Sequence, residues 1–272
     1  MHVVGTIEFT DAPIEYPACR HLREGGMREH VNAVQCESLL VVNVNDIPTM
    51  QIGCSPDHLV ELVCGRLYTE GLVSSLDEID TLSICENSLR ADVYLHDRDA
   101  DLSRRAMRVV PSCCTNNVTL NDFFGTSEPL PPVKPIPWDE EWVFRAIDEF
   151  ERDDTLHRRT RGTHTAYLSN RESSLLMCED IGRHNAFDKV VGSALIDDID
   201  LSQCLLFTSG RVPTDMTVKA IRAKIPILAS KSAATDKTIQ MAHDYDLTLI
   251  CNANPESFDV LCNPAARVSA AR

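Results

Sequence analysis

The chain has 272 residues, of which 43% are hydrophobic and 25% charged, a globular composition that allows one large domain or two small ones. Lysine and arginine number 26 against 41 aspartates and glutamates, and the net charge of −15 argues against a nucleic-acid binder, which needs a basic surface. No apolar run approaches the roughly eighteen residues of a membrane span, and the N-terminus lacks the basic and apolar segments of a secretory signal. We therefore expect a cytoplasmic protein with no membrane association.

The first clear elements lie between residues 39 and 110. Residues 39–44 (LLVVNV) predict a strand. The next segment predicts a helix with Ser55 as its N-cap, Pro56 in its first turn and Gly71 just past its end. Residues 90–110 predict an alternating strand followed by a basic helical stretch.

Residues 128–138 (EPLPPVKPIPW) contain five prolines and predict an extended connector. We accordingly divide the chain into an N-terminal α+β portion at 1–128, which ends in the cysteine loop, a connector at 129–138 and an α/β domain at 139–272.

The C-terminal half alternates strands and helices. We predict strands at 174–178, 204–208, 225–229 and 247–251, and helices over 142–150 and 187–195, from about 213 and from about 235. Short apolar strands separated by helices indicate a layered α/β fold with a mixed-to-parallel sheet.

Cysteine is frequent, with 11 residues. No two have the C-x-x-C spacing of zinc ribbons and thioredoxins, and an odd number without an export signal argues against a disulfide framework. We expect most of these thiols to be small buried hydrophobic groups. The adjacent pair Cys113-Cys114, in a polar loop, is the exception.

Four stretches resemble the FdhD family of formate dehydrogenase accessory sulfurtransferases, in order and at similar spacing. The most specific is EDIGRHNAFDKVVG at 179–192, and the others are at 55–79, 112–114 and 208–220. The resemblance covers about residues 35–260. It implies a core similar to the cytidine deaminases, without their zinc chemistry, and a smaller N-terminal portion.

Three departures indicate a divergent member. In the family's S-C-G-x-C-G pattern, Cys113 takes the first cysteine position, Cys114 a glycine position and Asn116 the second cysteine position. Arg161 replaces a glycine of the family's T-G-G-x-H-x-A stretch, and residues 252–257 lack the basic residues of its R-G-G-R-like stretch.

Sulfur transfer needs a thiolate, which forms most readily in an electropositive, partly exposed loop. Cys113 follows Arg98, Arg104, Arg105 and Arg108. The residues alone leave open a structural cysteine pair beside a solvated basic face, whereas the resemblance implies that Cys113 is the catalytic persulfide carrier. Adjacent Cα atoms are about 3.8 Å apart, short of the roughly 4.4–6.8 Å of relaxed disulfides, so Cys114 is not expected to act as a resolving cysteine.

The turn at 179–189 has the residues of an anion site. Gly182 permits a tight turn, and Asn185 is predicted to cap the following helix, whose N-terminus favours anions. The residues alone favour a plainer interpretation, in which Arg183 pairs with Asp180 across a turn. The resemblance instead favours cofactor binding, with charge from Arg183 and Lys189 and a proton or a hydrogen bond from His184.

Other candidate residues follow strand ends, where ligands bind in open α/β sheets. We assign Arg158 to the solvated surface and His164 to the pocket. The cofactor contacts implied by the resemblance are Thr160, His164, Gly182, Arg183, His184, Asn185, Lys189, Ser209, Gly210, Arg211, Asn252, Ala253, Asn254, Pro255, Glu256 and Ser257.

The resemblance implies a sulfurtransferase that takes persulfide sulfur from a cysteine desulfurase. It would sulfurate a molybdenum- or tungsten-bis(molybdopterin guanine dinucleotide), bound as cargo for an apo formate dehydrogenase or a related molybdo/tungsto-enzyme. Deaminase-fold proteins tend to dimerise, so we expect a homodimer.

Two other functions remain as alternatives. A non-catalytic pterin cofactor-binding chaperone is motivated by the missing second cysteine and the non-basic 252–257 stretch. A zinc deaminase would need H-x-E and P-C-x-x-C motifs. The chain has Thr165-Ala166 after His164 and no C-x-x-C, so we expect no metal site.

Overall fold

The computed structural model describes residues 1–4, 12–85, 89–98, 108–110, 130–152 and 156–266. Its strands are β1 (His2–Val4), β2 (Ile14–His21), β3 (Met27–Val34), β4 (Ser38–Val44), β5 (Ile47–Cys54), β6 (Ile79–Cys85), β7 (Arg90–Leu95), β8 (Arg108–Val110), β9 (His164–Ser169), β10 (Ser174–Asp180), β11 (Leu205–Thr208), β12 (Ile227–Ser230), β13 (Thr248–Asn254) and β14 (Ser257–Cys262). Its α-helices are α1 (Leu59–Thr69), α2 (Glu140–Arg152), α3 (Leu156–Thr160), α4 (Arg183–Ile196), α5 (Thr214–Arg222) and α6 (Asp236–Asp244).

An N-terminal sheet has the order β1-β6-β7-β4-β5-β8 and packs its apolar face on α1. The strand predicted at 39–44 is confirmed as β4, and Gly71 lies just past α1 with a φ of +71°. The predicted N-cap is wrong, because Ser55 bonds to residues of the other half of the chain and His58 takes the N-cap position. Residues 108–110 are also not helical, because β8 extends the sheet edge beside β5.

A C-terminal sheet has the order β10-β9-β11-β12-β13-β14. Its strands β11, β12 and β13 are parallel, and its other neighbours pair antiparallel, so the mixed α/β class is confirmed. The predicted strands appear as β10 to β13 and the predicted helices as α2, α4, α5 and α6. Strands β9 and β14 were not predicted, because polar residues interrupt their apolar runs.

Both faces of the C-terminal sheet are covered, which is why its central strands are buried throughout. On one face α2 packs Trp142 against a cluster that includes Phe207. On the other, Phe187 of α4 and Met216 of α5 pack on alternate strand residues such as Leu206. The side chain of Asp139 accepts a hydrogen bond from Trp142 N at 2.9 Å, so it stabilises the start of α2.

The two halves meet where the backbones of α1 and α4 are in direct contact. A Cβ added at Gly65 would lie 1.8 Å from Asp188 O, and one at Gly192 would lie 1.9 Å from Glu61 O. Glycine is therefore required at both positions because the two backbones touch.

The proline-rich residues from 130 to 139 form no regular element, and Val133 N donates to Tyr245 O at 2.9 Å. The domain boundaries drawn from the sequence stay a prediction. No α-helix in the described ranges is long and apolar enough to cross a membrane.

Candidate functional site

Strand directions bring five loops to one edge of the C-terminal sheet. Strands β11, β12 and β13 are parallel, and β10 points the same way because β9 is antiparallel to both β10 and β11. The site edge, as we name it, therefore comprises residues 160–164, 180–183, 208–211, 230–232 and 252–257. Of the candidate residues from Thr160 to Ser257, all except His184, Asn185 and Lys189 lie within these ranges.

His164 and Ser209 meet at the centre of the site edge. His164 Nδ1 lies 3.2 Å from Ser209 Oγ, which also accepts a hydrogen bond from Thr165 N at 3.0 Å. Ser209 N in turn donates to Thr165 O at 3.0 Å. The start of β9 and the end of β11 are thus joined, and the imidazole is held beside a hydroxyl group.

Arg183 crosses directly over Gly210. A Cβ on Gly210 would lie 2.9 Å from Arg183 Cδ, so the glycine leaves room for the arginine side chain. Arg183 Nε is buried and has no hydrogen-bond partner among the described residues. A buried guanidinium nitrogen without a partner is unfavourable in the free protein and suits an incoming anion.

Arg183 lies close enough to His164 and His184 to lower the pKa of each. Burial, reinforced by nearby Arg183, lowers the pKa of His164. His184 Nε2 lies 2.9 Å from Asp215 Oδ2, yet burial still lowers the pKa of His184. Both imidazoles are therefore predominantly neutral at pH 7, so Arg183 provides the fixed positive charge.

Lys189 and Asn185, from the same segment, lie inside the protein. Lys189 Nζ is 2.8 Å from both Asp57 and Asp180, and these carboxylates raise its pKa although burial opposes this. Asn185 does not cap α4, because Gly182 occupies the N-cap position and Asn185 Nδ2 donates to Asp180 at 2.8 Å. An anion would have to displace these partners to reach Lys189.

The plainer interpretation of the turn is also wrong. Asp180 pairs with Lys189 and accepts hydrogen bonds from Gly182 N at 2.9 Å and Ser55 N at 3.0 Å. An Arg183–Asp180 ion pair is absent from the part of the chain that the structure describes. Asp180 therefore fixes the turn that carries Arg183 and joins it to the N-terminal half.

A second set of buried charges lies deeper between α1, α4 and α5. Lys219 Nζ contacts Asp188 at 2.8 Å and Glu70 at 3.2 Å, and Arg66 Nε lies 2.7 Å from Asp188. All four side chains are at most 4% exposed. Together with Lys189, Asp57 and Asp180 they form what we call the buried charge cluster. Asp188 and Lys189 carry opposite charges on a helix that is buried along most of its length, and each buried charge needs a partner. That pattern could have indicated from the sequence that both residues form ion pairs.

Glu179 organises the next loop, a role that the sequence did not reveal. Its carboxylate accepts hydrogen bonds from Leu156 N at 2.7 Å and His157 N at 2.9 Å. It also accepts from the hydroxyl groups of Thr163 at 3.1 Å and Thr165 at 3.2 Å. Thr160 closes the same loop, because its Oγ1 donates to Leu156 O and accepts from Gly162 N.

The turn at 252–257 is closed by hydrogen bonds to the side chain of Asn254. Asn254 Oδ1 accepts from Glu256 N at 3.0 Å and Ser257 N at 3.1 Å, and Asn252 Nδ2 donates to Asp259 at 2.7 Å. Asn252 N also donates to Ser232 O at 3.0 Å, which ties the turn to the end of β12. Arg211, Pro255 and Glu256 are exposed, whereas Ala253 is buried.

The predicted sulfur carrier Cys113 and its neighbours Cys114 and Asn116 lie outside the described residues, as do Arg104 and Arg105. Six of the described cysteines are buried, which confirms that expectation for most of them. Burial raises the pKa to about 12 in five thiols: Cys54, Cys64, Cys178, Cys204 and Cys251. Such thiols are poor nucleophiles at neutral pH.

A family model described as the FdhD/NarQ family matches residues 35–268. The Bacillus pumilus protein named sulfur carrier protein FdhD is 32% identical over 239 residues, covering 88% of this chain and 91% of the relative. The protein of that name from Listeria monocytogenes serotype 4b is 30% identical over 241 residues, covering 87% and 92%.

A solved structure shows the same fold. The crystal structure of a candidate formate dehydrogenase accessory protein from Desulfotalea psychrophila matches with a TM-score of 0.75 and 23% identity. The match covers 93% of this chain and 98% of that chain.

Proposed function

This chain belongs to the FdhD/NarQ family, and from that membership we propose that it is a sulfur carrier protein acting in the maturation of a formate dehydrogenase. Its donor is a cysteine desulfurase, and its cargo is a molybdenum- or tungsten-bis(molybdopterin guanine dinucleotide). The observation that carries the proposal is the site edge, where the buried Arg183 Nε lies beside Gly210 and has no hydrogen-bond partner among the residues that the structure describes.

The chemistry begins with a thiolate at Cys113. The thiolate attacks the outer sulfur of the desulfurase persulfide, the donor's sulfur–sulfur bond breaks, and the donor cysteine leaves as a thiolate. On delivery the Cys113 sulfur–sulfur bond breaks, the outer sulfur becomes a sulfido ligand of the metal, and Cys113 leaves as a thiolate. The transferred sulfur gains an electron pair from the reduced metal, and the persulfide proton passes to water or to a neighbouring base.

The residues of the site edge fit a phosphate-containing cargo. Arg183 supplies a permanent cation, and Ser209 and His164 supply hydrogen-bonding groups beside it. The loops of the site edge follow the carboxyl ends of parallel strands, where ligands usually bind in open α/β sheets. A pyrophosphate there would give Arg183 Nε the acceptor that the described residues do not provide.

The course of the chain supports Cys113 as the carrier. Val110, at the end of β8, pairs with Ile52 of β5. Shortly after Ile52, Ser55 bonds to Asp180 and Ile181 at the site edge. Cys113 follows Val110 by three residues in the sequence.

The proposal is tested by incubating the protein with a cysteine desulfurase and cysteine, followed by intact and peptide mass spectrometry. We expect a reductant-labile gain of one sulfur on the peptide that contains Cys113, and its loss in Cys113→Ala. The matched control is Cys19→Ala, because Cys19 is exposed and lies in the N-terminal hairpin. Unchanged sulfur loading in Cys113→Ala would remove the assignment of that residue.

A cofactor chaperone without sulfur transfer remains the second candidate function. The internally bonded, non-basic turn at 252–257 and the missing second cysteine favour it. It predicts that a guanine nucleotide binds while no cysteine gains sulfur in the same experiment. A homodimer, an apo formate dehydrogenase as client and a cytoplasmic location remain predictions.

A further inference from the structure

Strands β2 and β3 form a two-stranded sheet of their own, and both faces of this hairpin are open. Seven of the eight residues of β2 and six of the eight residues of β3 are exposed. They include large apolar side chains, with Tyr16 53% exposed, Val31 60% and Met27 70%. A two-stranded hairpin is at best marginally stable by itself. Exposed apolar side chains on such a hairpin indicate a surface that another protein covers.

Two arginines occupy one face of the hairpin. Arg20 of β2 lies directly opposite Arg28 of β3, and like charges in a cross-strand pair destabilise a sheet. Because side chains alternate between the faces of a strand, Glu15 and Glu29 lie on the other face. The face of Arg20 and Arg28 therefore has no carboxylate of its own within the two strands.

The positive charge continues onto α3, which packs beside β3. Arg159 and Arg161 are exposed there, and neither forms an ion pair within the described ranges. Arg158 differs from them, because it lies 3.2 Å from Glu151. Exposed arginines of the neighbouring helix thus extend the basic face of the hairpin.

The charge of this region is opposite to that of the whole chain. Residues 14–34 and 156–162 contain six arginines against three glutamates, in a chain with a net charge of −15. A local excess of one charge on an oppositely charged protein steers a complementary partner to that place. The arginine surface, as we name it, comprises Arg20, Arg23, Arg28, Arg159 and Arg161.

The hairpin also lies beside the described segment that leads to Cys113. Tyr16 and Val34, at the base of the hairpin, line one cavity together with Pro56. Pro56 comes two residues after the end of β5, and β5 pairs with β8, the last described strand before Cys113 in the sequence. In the proposed function, the sulfur donor is the protein whose own cysteine must react with Cys113.

We propose that the arginine surface is the docking site for an acidic face of the protein that donates sulfur to this chain. The inference rests on the proposed function, which requires the two proteins to meet. Guanidinium groups form paired hydrogen bonds with carboxylates, and Tyr16 and Met27 add residue types that are enriched in protein interfaces. Complementary charge of this kind mainly accelerates the encounter and orients the partner.

The test compares two sulfur donors on the full chain at one ionic strength. One donor is a cysteine desulfurase with cysteine, and the other is sodium polysulfide, a small molecule that needs no docking surface. Peptide mass spectrometry follows the gain of sulfur on the peptide that contains Cys113. In the double variant Arg20→Glu, Arg28→Glu we expect the initial rate from the desulfurase to fall about tenfold, and the rate from polysulfide to stay unchanged.

The matched control is the double variant Lys224→Glu, Lys237→Glu. Both lysines are exposed and lie outside the arginine surface, and their reversal changes the net charge by the same amount. The arginine variant keeps a like-charged pair across the hairpin, so its Tm should equal that of the natural chain. Equal loading rates from the desulfurase in the two double variants would overturn the proposal.

Size-exclusion chromatography tests the other possible occupant, a second copy of this chain. A natural chain that is dimeric and an arginine variant that is monomeric would overturn the proposal, because a second copy would then cover the surface. If neither donor loads sulfur on Cys113, the sulfur carrier function fails, and biolayer interferometry with the desulfurase tests docking by itself. Weaker binding of the arginine variant than of the lysine control would still support the surface, and equal binding would overturn it.

Discussion

Arg183 and Lys189 are cations of the same segment, both on α4, but the structure places them in opposite environments. Lys189 is completely buried, and two carboxylates neutralise it. Arg183 is half-buried at the site edge, and its Nε has no partner among the described residues. The segment therefore contains two kinds of residue, those that fix the framework and those left open for a ligand.

The difference follows from the direction in which each side chain leaves the helix. Asn185, Asp188 and Lys189 face α1 and the loop before it, where water is excluded and every charge needs a partner. Arg183 and His184 belong to the first turn, above the ends of the strands. Near identity to a family motif thus does not distinguish a ligand-binding residue from one that joins two halves of a fold.

The largest effect should come from breaking the buried charge cluster. Lys189→Met would leave Asp57 and Asp180 buried without their cation, and removing one partner of a buried pair costs about 3–5 kcal/mol. Urea unfolding followed by circular dichroism measures the loss. Lys231→Met is the control, because Lys231 pairs with Glu151 on the surface, where such pairs contribute at most about 1 kcal/mol. Equal stability of Lys189→Met and the natural chain would mean that the cluster does not hold the halves together.

The next effect should come from the glycine contact between α1 and α4. Gly192→Ala would place a Cβ 1.9 Å from Glu61 O, and overpacking of this kind costs about 1–3 kcal/mol or more. Gly162→Ala is the control, because its added Cβ would have no contact closer than 3.4 Å. Thermal unfolding of both variants compares them, and equal Tm values would show that the helices can separate without cost.

Much of the C-terminal half could be predicted from sequence because its strands are short, apolar and separated by capped helices. Thr235 caps α6 and Pro213 precedes α5 where the residue types predict. The start of α1 could not be predicted in this way. Ser55 has the residue type of an N-cap, but Asp180 and Ile181, more than a hundred residues away, bind it instead.

The candidate site shows the same limit. Alternating strands and helices predicted that Ser209, Gly210 and Arg211 would follow a buried strand, and β11 confirms this. Nothing local indicated that Glu179 would accept hydrogen bonds from four donors between residues 156 and 165. Those contacts depend on tertiary packing between segments far apart in the chain.

A moderate effect on ligand binding, with none on stability, should separate Arg183 from Lys189. Arg183→Gln removes the cation without breaking any described ion pair, so Tm should not change. We expect affinity for guanosine monophosphate to fall about tenfold, which corresponds to about 1.4 kcal/mol, and to depend less on salt. Arg158→Gln, at an exposed arginine that pairs with Glu151, should retain the affinity. A drop in Tm without a change in affinity would place Arg183 with the framework residues.

The smallest effect concerns His184, which lies between the two environments. Burial lowers its pKa despite Asp215, so the unfolded chain takes up a proton that the folded protein resists as the pH falls below about 6.5. The natural chain should therefore lose stability between pH 7 and pH 5, and His184→Gln should lose less over that window. His21→Gln, at an exposed histidine, is the control for the general effect of removing an imidazole. Asp215, Lys219 and Arg183 are the charged neighbours of His184. His184→Gln leaves all three in place, so the two proteins differ only in the imidazole. An identical pH dependence of Tm in His184→Gln would mean that the imidazole is solvated and belongs to the open site edge with Arg183.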